Sequence, residues 1–83
     1  MRKQSRSPEE IRISTSVTGE PVGLTRDGQR LRIAAIYERW HLADEWWGKE
    51  VKRHYFKVGT SRGVFDIYHD TIEDRWYLDK VYD

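Results

Sequence analysis

The chain has 83 residues and no cysteine, with fifteen Lys or Arg against fourteen Asp or Glu and a formal net charge of +1. This length allows one domain with a modest core, the missing thiols exclude disulfides and thiolate sites, and the charge excludes a polycation that coats nucleic acid indiscriminately. Because no apolar run reaches about 20 residues or resembles a signal peptide, we expect a soluble, cytoplasmic protein with no membrane partner.

The first residues are polar, basic and without periodicity, so 1–9 is predicted as a flexible arm and 10–83 as a single antiparallel β domain. Period-two alternation then predicts a half-buried strand, with one side formed by Ile11, Ile13, Thr15 and Val17. A turn at 18–21 precedes an extended segment at 22–26. Asp27-Gly28 predicts a tight hairpin, with the next strand starting near Gln29.

The middle of the chain is less regular. The strand through Leu31 and Ile33 changes its apolar phase by one near 34–35, which predicts a bulge there, with a short helix as the alternative. Residues 41–50 show no steady alternation and are predicted as a loop with at most one helical turn. This Trp-rich loop, with Trp40, Trp46 and Trp47, either covers an open end of the sheet, which we favour, or exposes a Trp to a protein partner.

Three alternating runs, 51–59, 64–70 and 75–82, predict a meander in the last third. If Thr60 pairs with Gly63, one face carries an apolar row that consists of Phe56, Ile67 and Leu78. A three-residue loop would shift this register and place Asp66 beside Val58, so we prefer the first pairing. Together the elements predict a small, mainly β protein of five to six antiparallel strands, arranged as a strongly bent sheet or an open barrel.

The opposite face of the meander combines aromatic and basic side chains. Bases stack on aromatic rings while guanidinium groups hold phosphates, so this face is a candidate contact surface for nucleic acid or protein. In the other interpretation, tyrosine pairs stabilise the sheet and Asp66, Asp70 and Asp79 neutralise the cations. The candidate binding residues are Arg53, Tyr55, Lys57, Tyr68, Arg75 and Tyr77.

The sequence predicts no catalytic residue, no metal site and no cofactor. It contains no Ser-His-Asp arrangement, glycine-rich phosphate loop or HExxH motif. His54 and His69 face each other in the predicted register, but two imidazoles do not make a metal site. We therefore expect a protein that is not an enzyme.

Several landmarks resemble a known family. They are Glu38-Arg39-Trp40, Trp46-Trp47, the run 53–58, Gly63, the run 75–78 and Val81-Tyr82-Asp83. Their order resembles a small bacterial domain of unknown function, and it is similar to the C-terminal tails of ImuB-like members of the Y-family DNA polymerases. The resemblance covers roughly residues 20–83 and implies a context in DNA repair or damage-induced mutagenesis, without assigned catalytic residues.

The sequence thus predicts a non-enzymatic accessory module that contacts DNA or a DNA-repair protein. The alternative is a protein-interaction module that docks through the Trp loop and has no affinity for nucleic acid.

Overall fold

The structure, a computed structural model, describes residues 8–82, except for the side chain of Trp46. Its strands are β1 (Glu9–Thr15), β2 (Pro21–Arg26), β3 (Gln29–Arg32), β4 (Ala35–Trp46), β5 (Lys49–Thr60), β6 (Gly63–Asp70) and β7 (Arg75–Tyr82). All pair antiparallel in one open sheet with the order β3-β2-β1-β7-β6-β5-β4. The predicted class is confirmed, with seven strands in residues 8–82 rather than five to six.

The meander of β5, β6 and β7 has the predicted register. Thr60 pairs with Gly63, and Phe56, Ile67 and Leu78 lie opposite one another in a row. The one difference is a bulge in β7, because Asp66 lies opposite Lys80 and Asp79 is the extra residue. Alternation in the sequence set this register, since a slip of one residue would exchange the two faces of each strand.

The core forms because the sheet bends around β1, which pairs with β2 on one side and with β7 over Glu9–Ile11 on the other. One face of β1–β3 therefore packs against one face of β5–β7. The buried cluster consists of Ile11, Leu24, Leu31, Ile33, Phe56, Val58, Phe65, Ile67 and Leu78. We call the opposite side of the sheet the outer face.

Two consecutive residues bring the edges of the sheet together at one corner. The amide of Ile33 donates to the carbonyl of Val22 in β2 at 3.0 Å, and the amide of Ala34 donates to the carbonyl of Gly59 in β5 at 2.8 Å. The change of apolar phase at 34–35 therefore marks the passage between two strands, and the predicted bulge and short helix there are both wrong.

The bulge lies at Tyr37 instead, between Ile36 and Glu38. The Tyr37 ring lies over Gly59, where a Cβ atom would come within 2.8 Å of the ring. Any larger residue at position 59 would have to displace this ring, so the missing side chain of Gly59 makes room for the bulge.

The first predicted strand differs from the observed strand at both ends. Strand β1 begins at Glu9 and ends at Thr15, and Val17 is fully exposed in the turn that follows. The amide of Gly19 donates to the Ser16 carbonyl at 2.9 Å, which closes this turn.

The Asp27-Gly28 hairpin is present as predicted, with φ of 52° and 78° at its two turn residues. Residues 1–7 of the predicted arm lie outside the described residues.

Residues 41–50 are a hairpin rather than a loop. Pairing between β4 and β5 continues without interruption from Glu38 opposite Lys57 to Trp46 opposite Lys49, and Trp47-Gly48 form the turn. Side chains on both faces of the distal part are exposed. Since neither face is buried there, the sequence carries no alternation, which is why the strands were not predicted.

Ile67 tests the core because it is fully buried. We expect Ile67→Ala to lower the free energy of unfolding by roughly 2–5 kcal/mol, since it removes buried methyl groups and leaves a cavity. Urea denaturation measures the change. Ile72→Ala is the matched control, because Ile72 is an exposed turn residue and its truncation should change the value by less than about 0.5 kcal/mol. Equal effects would contradict the assigned core.

Candidate interaction surfaces

An aromatic row crosses four strands on the outer face. Trp40, Tyr55, Tyr68 and Tyr77 come from β4, β5, β6 and β7 and lie opposite one another in the register. Successive ring centroids are 5.3, 4.9 and 5.1 Å apart. The structure thus brings the three predicted tyrosines together on one face and adds Trp40 to them.

The two central rings of the row are covered. Tyr68 is only 3% exposed and Tyr55 only 9%. The Arg53 guanidinium carbon lies 4.6 Å from the Tyr68 ring centroid, and its Nη1 donates to the Tyr55 hydroxyl at 3.1 Å. Burial raises the pKa of Tyr68 to about 12. A nucleic-acid base therefore has no free ring face at these two tyrosines unless Arg53 moves away.

A second cluster surrounds Tyr82 at the end of β7. The Tyr82 hydroxyl donates to Oδ2 of the buried Asp66 at 2.7 Å, and this hydrogen bond raises the pKa of Tyr82 to about 12. The ammonium groups of Lys57 and Lys80 lie 4.6 and 4.8 Å from the Tyr82 ring centroid. Burial and the negative charge of Asp66 raise the pKa of Asp79.

The cations predicted to hold phosphates are thus engaged within the protein. Arg53 contacts the row, Lys57 contacts Tyr82, and Arg75 approaches a carboxylate oxygen of Glu10 at 3.8 Å. The register also places Asp66 and Asp70 on this face. The geometry favours the second interpretation of these residues, in which they stabilise the sheet.

The distal hairpin of β4 and β5 exposes several large apolar side chains. Trp47 is 93% exposed at its tip, and Trp40 and Leu42 are 37% and 40% exposed along β4. Trp47 does not cover an end of the sheet, so the favoured lid interpretation of the loop is wrong for this residue. The backbone at Trp46 pairs with Lys49 and closes the turn.

Trp47 also has an unusual backbone conformation, with φ of 57° followed by 74° at Gly48. Two positive φ values in a two-residue hairpin turn favour Asn-Gly or Asp-Gly, and a bulky side chain is rare there. The other two residues with positive φ that are not glycine, among those described, are Asp27 and Asp74, which tolerate this conformation well.

Strand β4 is an edge strand with free backbone groups. The Lys52 carbonyl accepts a hydrogen bond from the Thr71 amide at 3.0 Å. The backbone N–H and C=O groups of even-numbered β5 residues therefore point toward β6. The backbone groups of odd-numbered β5 residues form hydrogen bonds with β4, as in the pair of Arg53 with Leu42. Since hydrogen-bonded and non-hydrogen-bonded pairs alternate, four residues of β4 turn their N–H and C=O groups outward. They are Arg39, His41, Ala43 and Glu45, and of these the amide of Glu45 already donates to Oδ1 of Asp44 at 2.8 Å.

The outer face of β1–β3 carries three arginines that were not assigned a role from the sequence. Arg12 lies opposite Thr25, which lies opposite Arg30, and Arg32 lies opposite Gly23. All three arginines are exposed. Their alternation with Ile11, Ile13 and Leu31 was the signal that could have placed them together on the face opposite the core.

The histidines lie in a row near the rim of the core face. The His41 and His54 rings are 4.5 Å apart, while His69 stacks on Trp76 and places Nε2 2.8 Å from Oδ1 of Asp74. Within residues 8–82 no group of three His, Asp or Glu side chains is arranged to hold a metal ion.

No protein-family model, curated protein or solved structure matches this chain. The resemblance to ImuB-like tails therefore remains a prediction. No helix within the described residues is long and apolar enough to cross a membrane.

Two of the five tyrosines should titrate late. Because the pKa of Tyr68 and of Tyr82 is raised to about 12 in the folded chain, their contribution to stability is complete below the ordinary value of about 10. It is lost as the pH rises through 10 toward 12. Absorbance titration of the phenolates, with far-UV circular dichroism to monitor folding, measures this behaviour.

Tyr82→Phe should remove one of the late-titrating phenols, and Tyr37→Phe, at an exposed ring, is the control that should leave both. If all five phenols of the folded protein ionise together near pH 10, the arrangement of Asp66 and Arg53 around these rings is contradicted.

Proposed function

We propose that this chain is a non-enzymatic binding module that docks on an extended segment of a partner protein through the hairpin of β4 and β5. The observation that carries the proposal is Trp47, a large aromatic side chain that is almost fully exposed on a left-handed backbone at the hairpin tip.

This conformation is costly and brings no packing in return. A left-handed backbone costs an L residue other than glycine, asparagine or aspartate roughly 1–2 kcal/mol. At 93% exposure, Trp47 recovers little of this cost through burial. Backbone outliers of this kind cluster at functional sites, and exposed tryptophans are frequent centres of protein interfaces.

The free edge of β4 offers a docking mode. A partner segment that adds as an eighth strand would hydrogen-bond to the outward backbone groups of Arg39, His41 and Ala43. At Glu45 only the carbonyl is available, because the amide donates to Asp44. The alternate side chains of the segment would meet Trp40 and Leu42 on the outer face. Proteins usually protect edge strands with charged side chains, Pro or β-bulges. In β4 these features lie toward the ends, at the Tyr37 bulge and at four charged residues, and the stretch 40–43 between them has none.

The resemblance to ImuB-like tails supports a context in DNA repair or damage-induced mutagenesis. A DNA-repair protein is therefore the first class of partner to test. Nucleic-acid binding through the aromatic row is less well supported, because Tyr55 and Tyr68 are covered and the neighbouring cations are engaged.

Trp47→Asn separates docking from folding. Asn tolerates the left-handed turn, so we expect the free energy of unfolding to rise by about 1 kcal/mol while partner binding weakens at least tenfold. Urea denaturation measures the first change. Titration of a purified partner, identified by capture from the native lysate, measures the second.

Ile72→Asn is the matched control, because it replaces an exposed apolar turn residue on β6–β7 and should leave partner binding unchanged. A Trp47→Asn protein that is folded and still binds its partner with full affinity would overturn the proposal.

Ala43→Pro tests the edge itself. The amide of Ala43 points outward, so proline removes a donor needed by an added strand and leaves the β4–β5 ladder intact. Ala43→Val is the control that keeps the donor. We expect binding to be lost only with proline. Light scattering measures the oligomeric state as a second readout. If the wild-type protein is a dimer and Ala43→Pro converts it to a monomer, a second copy of the chain occupies the edge. The docking proposal would then be wrong.

A further inference from the structure

The arginine patch, formed by Arg12, Arg30 and Arg32 on the outer face of β1–β3, has a regular geometry. Arg12 and Arg30 are separated by one intervening strand, which puts their Cα atoms roughly 10 Å apart. Arg30 and Arg32 are two residues apart on β3 and point to the same face, about 7 Å apart. The guanidinium groups therefore belong to one surface of limited extent.

The surface between these arginines is formed by small residues. Ser14, Gly23 and Thr25 lie in the register positions between or beside them. Two shallow clefts of about 360 and 420 Å³ meet here and share Ser14, Thr25 and Arg30. No large side chain fills the space above the strands, so a ligand can approach the backbone and the two hydroxyl groups.

The patch makes no ion pair within the described part of the protein, and the nearby carboxylates of Glu10 and Asp27 line a neighbouring cleft with Arg12. Arg12, Arg30 and Arg32 form no ion pair with any carboxylate of residues 8–82. Arg26 and Arg39, in contrast, pair with Glu9 and Glu20. On the β7 side, the larger cleft also contains Glu10, which approaches Arg75, and Asp74, which contacts His69.

We infer that the arginine patch binds the phosphodiester backbone of nucleic acid. Planar guanidinium groups bind phosphate oxygens in a bidentate manner, and Ser14 and Thr25 add hydroxyl donors between them. No aromatic side chain lies in the register positions between the three arginines. Trp76 lines the β7 side of the larger cleft, where its ring stacks on His69. The patch therefore contacts phosphates rather than bases, and the binding does not depend on sequence.

This site is independent of the docking hairpin, because it lies on β1–β3 whereas the hairpin belongs to β4 and β5. One molecule can hold a nucleic acid at the arginine patch and a protein partner at β4 at the same time. The inference does not rest on the proposed function.

Fluorescence anisotropy with a labelled single strand and a duplex of equal length tests the inference. Three phosphate contacts predict a slope of log affinity against log salt of about −2 for the single strand and about −2.7 for the duplex. Between about 50 and about 200 mM salt, the affinity should fall roughly 20- to 40-fold. Arg30→Gln should reduce the steepness of the slope by about 0.7–0.9, and the triple Gln variant should abolish binding.

Arg62→Gln is the matched control, because it removes one positive charge from an exposed turn between β5 and β6. It should leave the slope unchanged. Equal losses with Arg62→Gln and Arg30→Gln would show that only net charge matters and would overturn the inference. Flat titrations at low salt would also overturn it, as would Arg30-dependent binding to anionic phospholipid vesicles without binding to nucleic acid.

The two proposals fail separately. Trp47→Asn and Ala43→Pro should leave the affinity for nucleic acid unchanged, and Arg30→Gln should leave docking of the protein partner unchanged.

Discussion

The register between β5 and its two neighbours is the constraint on which the structure depends. Since side chains alternate along a strand, one pairing places Phe56 and Ile67 in the core and Tyr55 and Tyr68 on the outer face. A slip of one residue would bury charged side chains and expose the aliphatic ones. The bend at β1 then brings a second apolar face onto the first, so that one core forms between β1–β3 and β5–β7.

The difference in length between the strands creates the exposed hairpin. Strand β6 pairs with β5 only as far as Arg53 opposite Asp70, whereas β4 pairs with β5 down to Lys49. The distal part of the hairpin therefore has no neighbouring strand beyond β4 and β5. The same ladder that organises the core thus presents an unpaired edge and an exposed Trp47, and no interaction within the described chain accounts for them.

Sequence reasoning succeeded where burial alternates and where a turn has specific chemistry, as in the meander and at Asp27-Gly28. It failed at residues 41–50, because a hairpin exposed on both faces needs no alternation. It also placed Tyr55 and Tyr68 on the outer face without seeing that Arg53 covers them, since the reach of a long side chain depends on tertiary packing. The arginine patch was missed because the alternation places each arginine opposite the core, whereas their proximity depends on the register of β1 with β2 and of β2 with β3.

The register can be measured directly by nuclear Overhauser effects between Hα protons in solution. Tyr55 and Tyr68 form a non-hydrogen-bonded pair, in which the Cα atoms approach to about 4.5 Å and the two Hα protons are close. The account predicts a strong Hα–Hα signal between Tyr55 and Tyr68. A strong signal from Tyr55 to Ile67 or to His69 instead would show a different register and would contradict the core, the aromatic row and the free edge of β4 together.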